Sequence, residues 1–429
     1  MLKKAVVFYS LAGLCSLLFL PGCKPATALV SFDVENPSDI SREAALVVLK
    51  RAEIQRKSNR KVNGYFKVML HQEPVICQFD DLDKDGQWDE LAFLHDFRSG
   101  EKISVQLYEA GVPGNSEVKP RAHVRHKRKL EGAVFGPSLV KDSIDGSQQP
   151  TDFARQALPP FLTEGPAWEN DQLGFRLYFD CRNGKDIWGK LTREMILDKV
   201  GTDTTQNYHK LAAWGMDLLK VGGSLGAGAL ALYMPELEGK DSLVRVGGSN
   251  IKQTSYEQIA DGPVRAIFRM HYKNWNLHPS LLPLSVTEEI HIWGGQLFYE
   301  SYISVTNMPD HAQFVTGIVN LHNADKHELY EGTAAAVYTH ARQSENNDAL
   351  GMAILLSKKD LAGFSVSKND ATDIRNTYLV KMNRYAGQQQ CFRFYAAWEK
   401  SQPSLAKTTD FEHYLVNQLK QFQQPLIVR

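Results

Sequence analysis

A chain of 429 residues with 49 basic and 49 acidic side chains carries no net charge to draw it to a polyanion such as nucleic acid. With 43% hydrophobic residues it is long enough for two or three packed domains. Its five cysteines are too few for a disulfide scaffold, and Cys77, Cys181 and Cys391 have no metal-binding spacing.

The chain opens as an exported protein does. Lys3 and Lys4 precede an apolar run from Ala5 to Leu20, too short for a comfortable membrane span, which ends in Leu20-Pro21-Gly22-Cys23. That ending resembles the lipobox of bacterial lipoproteins. It predicts a signal peptide over residues 1–23 and acylation of Cys23, with ordinary cleavage to a soluble form as the alternative. Lys24 and Pro25 follow without an acidic residue, which resembles the sorting pattern for the outer membrane. The expected location is therefore a lipid anchor there, facing the periplasm.

Next comes "EAALVVLKRAEIQ", from Glu43 to Gln55, which fits helix or strand because Val47 and Val48 favour the latter. It is followed by "DLDKDGQWDE", which offers oxygens from Asp81, Asp83, Asp85, Gln87, Asp89 and Glu90 around Gly86. Alternating oxygen ligands with glycine at the sixth position are what a hard cation requires, so the loop predicts a structural Ca2+. It departs from an EF-hand, since the twelfth position is Ala92 and the flanks look like strands.

The basic segment "KPRAHVRHKRK" or its end predicts a boundary, giving domains over 24–135 and 136–429. Residues 136–170 are irregular and hold Pro137, Pro150, Pro159, Pro160 and Pro166, as a linker or a functional loop would. Beyond them the alternation is that of strands. "GFRLYFDC" sets Phe175, Leu177 and Phe179 opposite Arg176, Tyr178 and Asp180, and "VRAIFRMHYK" sets Ala266, Phe268 and Met270 opposite Arg265, Arg269 and His271. "TEEIHIWGG" and "FYESYISVTN" read as a hairpin. The chain is thus mainly β, with large antiparallel sheets. A final helix is expected where Thr409 and Glu412 suggest a capping box ahead of Phe411, Leu415, Leu419 and Phe422.

The stretch "NYHKLAAWGMDLLKVGGSLGAGALAL", residues 207–232, supports three readings. Ser224 within G-x-S-x-G would be a nucleophile only on a strand-to-helix elbow, and the surroundings are β. Gly226, Gly228 and Ala231 match G-x-G-x-x-A, but without βαβ alternation a nucleotide cofactor is rejected. The third reading is a strand-turn-strand that presents Tyr208, His209, Trp214, Asp217 and Lys220 to a cleft.

This stretch, with "GPAWENDQLGFRLYFDCRNGKDIWGK", "ENPSDISREAALVVL" and "CQFDDLDKDGQWDELAFL", resembles the secreted bacterial family known as domain of unknown function 4861 over nearly the whole mature chain. The resemblance implies a small N-terminal β-sandwich followed by a galactose-mutarotase-like β-supersandwich. It also implies a setting in polysaccharide use, beside lyases and unsaturated-uronide hydrolases. It assigns no catalytic residue.

A sugar site needs aromatic faces, carboxylates and amides, and a proton-transfer pair. Candidates are Glu169 and Asp171 as acid and base of a hydrolase, or Tyr208 and His209 as the proton-removing pair of a lyase. Arg176 would hold an acidic substituent, with Trp168, Asn170, Tyr178, Trp214, Asp217 and Lys220 as further contacts. His271, Glu289 and His291 form a second possible wall. The expected function is an enzyme acting on acidic, uronate-containing oligosaccharides. A mutarotase-like epimerase and a glycan-binding lipoprotein without catalysis remain open.

Overall fold

The computed structural model describes residues 28–112, 118–132, 134–203, 205–237, 240–368, 373–383 and 387–429; the expected signal peptide and Cys23 lie outside them. Nearly all regular structure is antiparallel sheet. Among the described residues there are two α-helices, Arg51–Ser58 and Thr408–Gln423, and no helix is long and apolar enough to cross a membrane.

The small N-terminal unit is a β-sandwich. A five-stranded sheet contains Val30–Glu35, Tyr65–Leu70 and Lys102–Ala110, and a three-stranded sheet contains Arg42–Lys50, Cys77–Asp80 and Glu90–Phe97. Val34, Leu49, Val68, Phe93 and Val105 fill the space between them. "EAALVVLKRAEIQ" combines both of its readings, since the β-branched half completes the strand Arg42–Lys50 and the rest becomes the first helix. The sandwich is closed from the far end of the sequence: Val428, in the strand Ile427–Val428, lies opposite Val34.

The large unit is a β-supersandwich. A nine-stranded antiparallel sheet, running from His327–Glu331 at one edge to Lys141–Asp145 at the other, faces two five-stranded sheets. Trp168 and Phe175 stack at 5.6 Å between the layers, with the Tyr299 ring edge-on to Trp168 at 5.4 Å. Glu288 is on the apolar face of its strand because Lys185 of the opposite layer meets it at 2.5 Å, both side chains being 1% exposed. The final helix lays Phe411, Leu415 and Leu419 on the outer face of the nine-stranded sheet. Gly351 makes room there, since a Cβ would come within 2.8 Å of the Phe411 ring. The expected capping box does not form: the helix begins at Thr408 without a side-chain cap, and Glu412 instead accepts the Tyr338 hydroxyl at 2.6 Å.

The division between the units falls earlier than residue 135. Ala122–Arg125 is already a strand of the large unit, paired with Ala167–Asn170, and Val428 returns to the small one. The basic segment reads as a boundary in sequence because its charges suggest solvent. Lys119 and Arg128 do stay exposed, but Arg125 and His126 are buried. The buried Arg125 guanidinium donates to the carbonyls of Leu162, Gly165 and Leu197 and to the Thr163 hydroxyl. The proline-bearing stretch after it supplies the edge strand Lys141–Asp145 and Phe161, which packs on His126 and Phe179.

His123 ties three segments together, with Nδ1 at 3.0 Å from Asp261 and Nε2 at 3.1 Å from Asp198. Burial opposes its protonation, but the two carboxylates prevail and push the imidazolium up to about 9. A folded value above the unfolded ~6.5 makes this contribution complete below about pH 6.5 and lost as pH rises through about 9. Between those limits the native protein should lose on the order of 2 kcal/mol more than a His123→Gln variant in urea melts. Equal losses would remove His123 from the pH response.

Candidate functional site

Residues 207–232 form neither an elbow nor a regular strand pair. Ser224 is buried, donating to the Val221 carbonyl at 2.6 Å and accepting from the Gly226 amide at 2.9 Å, so its hydroxyl is a turn brace. The glycines permit close approach. A Cβ on Gly226, at φ +59°, would stand 2.1 Å from the Lys185 carbonyl oxygen.

What this stretch does contribute is a cap over a buried charge cluster. Register places Arg176, on the strand Leu173–Leu177, directly opposite Asp186, on the strand Lys185–Lys190. One Arg176 nitrogen, Nη2, meets Asp186 Oδ2 at 2.7 Å and Asp217 Oδ2 at 2.6 Å, and Nη1 approaches Glu164 at 3.7 Å. The Tyr178 hydroxyl donates to Asp186 at 2.7 Å. The guanidinium carbon lies 4.9 Å from the Tyr178 ring centre, 4.8 Å from Trp188 and 5.5 Å from Tyr208. Arg182 binds Asp180 and Glu164 beside them.

His209 is where this cluster reaches water. Its side chain is 52% exposed, and Nδ1 stands 3.2 Å from the 1% exposed Asp217 carboxylate. Burial pushes the Asp217 carboxyl well up, against the pull of Arg176 and with repulsion from Asp186. Burial and the Arg176 charge hold the His209 imidazole below its usual value, so it is neutral near pH 7. Burial also raises the Tyr208 phenol, keeping its proton. A neutral histidine backed by a buried carboxyl, next to a protonated phenol, can take one proton and supply another.

Tyr208 and Trp214 form part of the wall of a neighbouring cavity of about 620 Å³, with Lys199, Asp203, Asn207 and Lys210 also on its lining. The cavity is enclosed by the loop between the strands Lys185–Lys190 and Gly215–Asp217.

The cluster therefore unites His209, Tyr208, Arg176, Tyr178 and Asp217, with Trp214 alongside at 6.1 Å from Trp188. Others lie elsewhere. Trp168 is core, and Asn170 donates to the carbonyls of Trp293 and Gln296. Glu169 is fully buried, 2.5 Å from Lys190, and accepts the Ile196 and Leu197 amides. Asp171 is spent on Arg121 at 2.7 Å and on the Gly295 amide. These two carboxylates do not flank an open cleft, because each is consumed in holding loops together. Lys220 is exposed and makes no pair with Asp217. His271 and His291 bind Glu257 and Glu289 on the outer sheet face.

Sequence reasoning missed Glu164 and Asp186. Asp186 was within reach, because pairing the strands across "FDCRNG" sets it against Arg176; Glu164 comes from an irregular turn and gave no signal.

The cation-like loop joins Cys77–Asp80 to Glu90–Phe97. Asp81, Asp83 and Asp89 each offer an oxygen within 4.8 Å of the others, a hard-donor set that suits Ca2+. Gly86 takes φ +88° at the turn. Of the other expected ligands, Gln87 binds Arg51 and Glu90 pairs with Arg265 at 2.7 Å, while Asp85, like Asp81, Asp83 and Asp89, accepts backbone amides of the loop.

A Formosa agariphila protein named uncharacterized protein P7 is 21% identical over 309 residues, covering 68% of this chain and 66% of its own length. An α-mannosidase structure from Enterococcus faecalis aligns over 94% of this chain and 46% of its own at 10% identity, with TM-score 0.48. A Klebsiella pneumoniae structure described as "a putative aldose 1-epimerase" aligns over 70% of this chain and 96% of its own at 12% identity, with TM-score 0.33. The chain thus spans about two thirds of the first relative and about half of the mannosidase. A family profile matches residues 34–428, nearly the whole chain, and the protein therefore belongs to the family described as Domain of unknown function (DUF4861).

Proposed function

We propose that the protein is a carbohydrate-active enzyme that cleaves acidic, uronate-containing oligosaccharides by β-elimination, with His209 as the base. The observation that carries this reading is the half-exposed, neutral His209 set 3.2 Å from buried Asp217 beside Tyr208. The imidazole takes the proton from the carbon next to the uronate carboxyl. The released electron pair forms the carbon–carbon double bond, and the expelled glycosidic oxygen takes the Tyr208 proton. A chain running past His209 into the neighbouring cavity, whose lining includes Tyr208 and Trp214 but not His209, would rest a sugar face on those two rings and reach Lys199 and Lys210 with a carboxylate. Arg176 cannot do so, since it is 2% exposed and surrounded by acids. The hydrolase alternative is disfavoured by the burial of Glu169 and Asp171.

Incubating the mature chain with uronate oligosaccharides and calcium should generate absorbance in the unsaturated-uronide band with no gain of water by mass. Water uptake without unsaturation would sink the lyase reading, and unchanged substrate would leave glycan binding alone.

We further propose that Cys23 is the lipid anchor, holding the protein at the outer membrane on the periplasmic side, and that Asp81, Asp83 and Asp89 bind a structural Ca2+. The loop is a strut between the units, because Lys84 Nζ donates to the Ile259 carbonyl at 2.5 Å. Millimolar calcium should raise the unfolding midpoint by roughly 2–4 °C, and Asp83→Asn should abolish the rise. Identical melts with calcium and with chelator would exclude the site.

A further inference from the structure

A second cavity, well apart in sequence from His209, opens where the two units meet. It has a volume of about 980 Å³, within the range of ligand sites. Its walls come from the start of the strand Arg42–Lys50, the turn at Arg98, the segment around Arg193, the turn at Gln296 and the final helix. The lining is mostly polar.

The walls are fastened to each other by amides. Gln296 donates to the carbonyls of Glu43 and Ala44 at 2.9 and 3.1 Å, Gln421 to that of Ser41 at 3.1 Å, and Gln402 to Gln172 at 3.0 Å. These bonds pre-form the cleft, so a ligand need not organise it.

Charge on the lining is unbalanced. Four arginines, Arg42, Arg98, Arg121 and Arg193, line it against two carboxylates, Glu43 and Asp96. Arg121 is committed to Asp171, and Asp96 accepts the Ala44 amide at 2.6 Å. Arg42 is 8% exposed and its partners are neutral: Asn36 Oδ1 at 2.8 Å and the Gln424 carbonyl. No carboxylate pairs with it among the described residues. Burial and the nearby Arg393 charge depress its guanidinium to about 10. Arg98 and Arg193 are exposed on the same lining, again with no ion pair among the described residues. A buried cation without a carboxylate is costly unless an anion compensates it.

We propose that this cleft is a binding site for an anionic oligosaccharide, with Arg42, Arg98 and Arg193 taking its carboxylate or sulfate groups and Gln296, Asn417 and Gln421 its hydroxyls. The site is independent of the reading of His209. It grips a charged chain through guanidinium forks, which match both anions in geometry. Its walls belong to both units, so occupancy also clamps the small sandwich to the large one.

The test is calorimetric titration of the full mature chain with three probes of equal length: an oligogalacturonate, a sulfated oligosaccharide and a neutral oligosaccharide. One or both anionic probes should bind, more weakly as salt is raised, and the neutral probe should not; which anion binds separates the two sources. An Arg98→Ala/Arg193→Ala double variant should bind about tenfold more weakly or worse, since two charge-assisted contacts are lost. Titration in a His209→Ala background keeps the probe uncleaved, and adding Lys199→Ala/Lys210→Ala, which alters the other cavity, should leave this binding unchanged; that separates failure here from failure of the lyase reading. Both arginines are exposed, so the double variant should keep the native unfolding midpoint, and Arg193→Glu supplies an independent repulsive substitution. Undiminished affinity in both variants, equal affinity for the neutral probe, or no binding of either anion would overturn the proposal.

Discussion

His209→Ala should lower turnover of uronate oligosaccharides by about 10²- to 10⁴-fold while changing substrate affinity little, because the imidazole acts in the transition state and contributes few ground-state contacts. The side chain is 52% exposed, so its removal should barely change the unfolding midpoint. The pH profile adds a second readout. Burial and Arg176 lower the His209 imidazole, so activity should rise with pH to a plateau entered below the ordinary histidine value. Asp217→Asn should keep the fold and reduce turnover less, since it alters the support of the imidazole and leaves the base in place. A His209→Ala protein with full activity would end the proposal outright.

The second large effect is on stability. Arg176→Met should cost about 3–5 kcal/mol, because it leaves Asp186, Asp217 and Glu164 crowded without their shared cation. Each of the two aspartate carboxylates is 1% exposed, so water cannot replace the guanidinium. Arg176→Lys should recover only part of the loss, since one ammonium cannot reproduce the fork that spans Asp186, Asp217 and the Tyr178 hydroxyl. Denaturant melts of the two variants check this. A Met variant as stable as the native protein would mean that Asp217 carries its proton so firmly that the cluster needs no cation.

The elements most legible in sequence are those whose faces differ sharply. The alternation of Ala266, Phe268 and Met270 with Arg269 and His271 is what a strand with one core face requires, and Phe411, Leu415 and Leu419 find their sheet at helical spacing. The strand Leu173–Leu177 shows the limit. Its alternation holds, yet Arg176 is as buried as Phe175, because the loop over residues 196–214 covers the polar face. Nothing in a period of two reports whether the second face meets water or another layer.

The same ambiguity separates the candidate residues. Tyr208, His209, Arg176 and Asp217 share one cluster, while Glu169, with equally suitable chemistry, is fully buried against Lys190. Carboxylates near an aromatic residue look alike in sequence whether they face a sugar or brace a loop. Only the partners at three ångströms distinguish them, and the two aspartates that Arg176 binds lie 10 and 41 positions away.

Local order alone determined that this chain would be mainly β, where its final helix would lie, and that an aspartate-rich loop would turn at Gly86, because periodicity and φ preference act over a few neighbouring residues. The tertiary structure decided which charges are buried together, that the basic segment at Ala122–Arg125 belongs to the large unit, and that Val428 completes the first sheet. Desolvation is the reason: a charge becomes structural or functional according to which distant groups exclude water from it, and that is a property of packing across the whole chain.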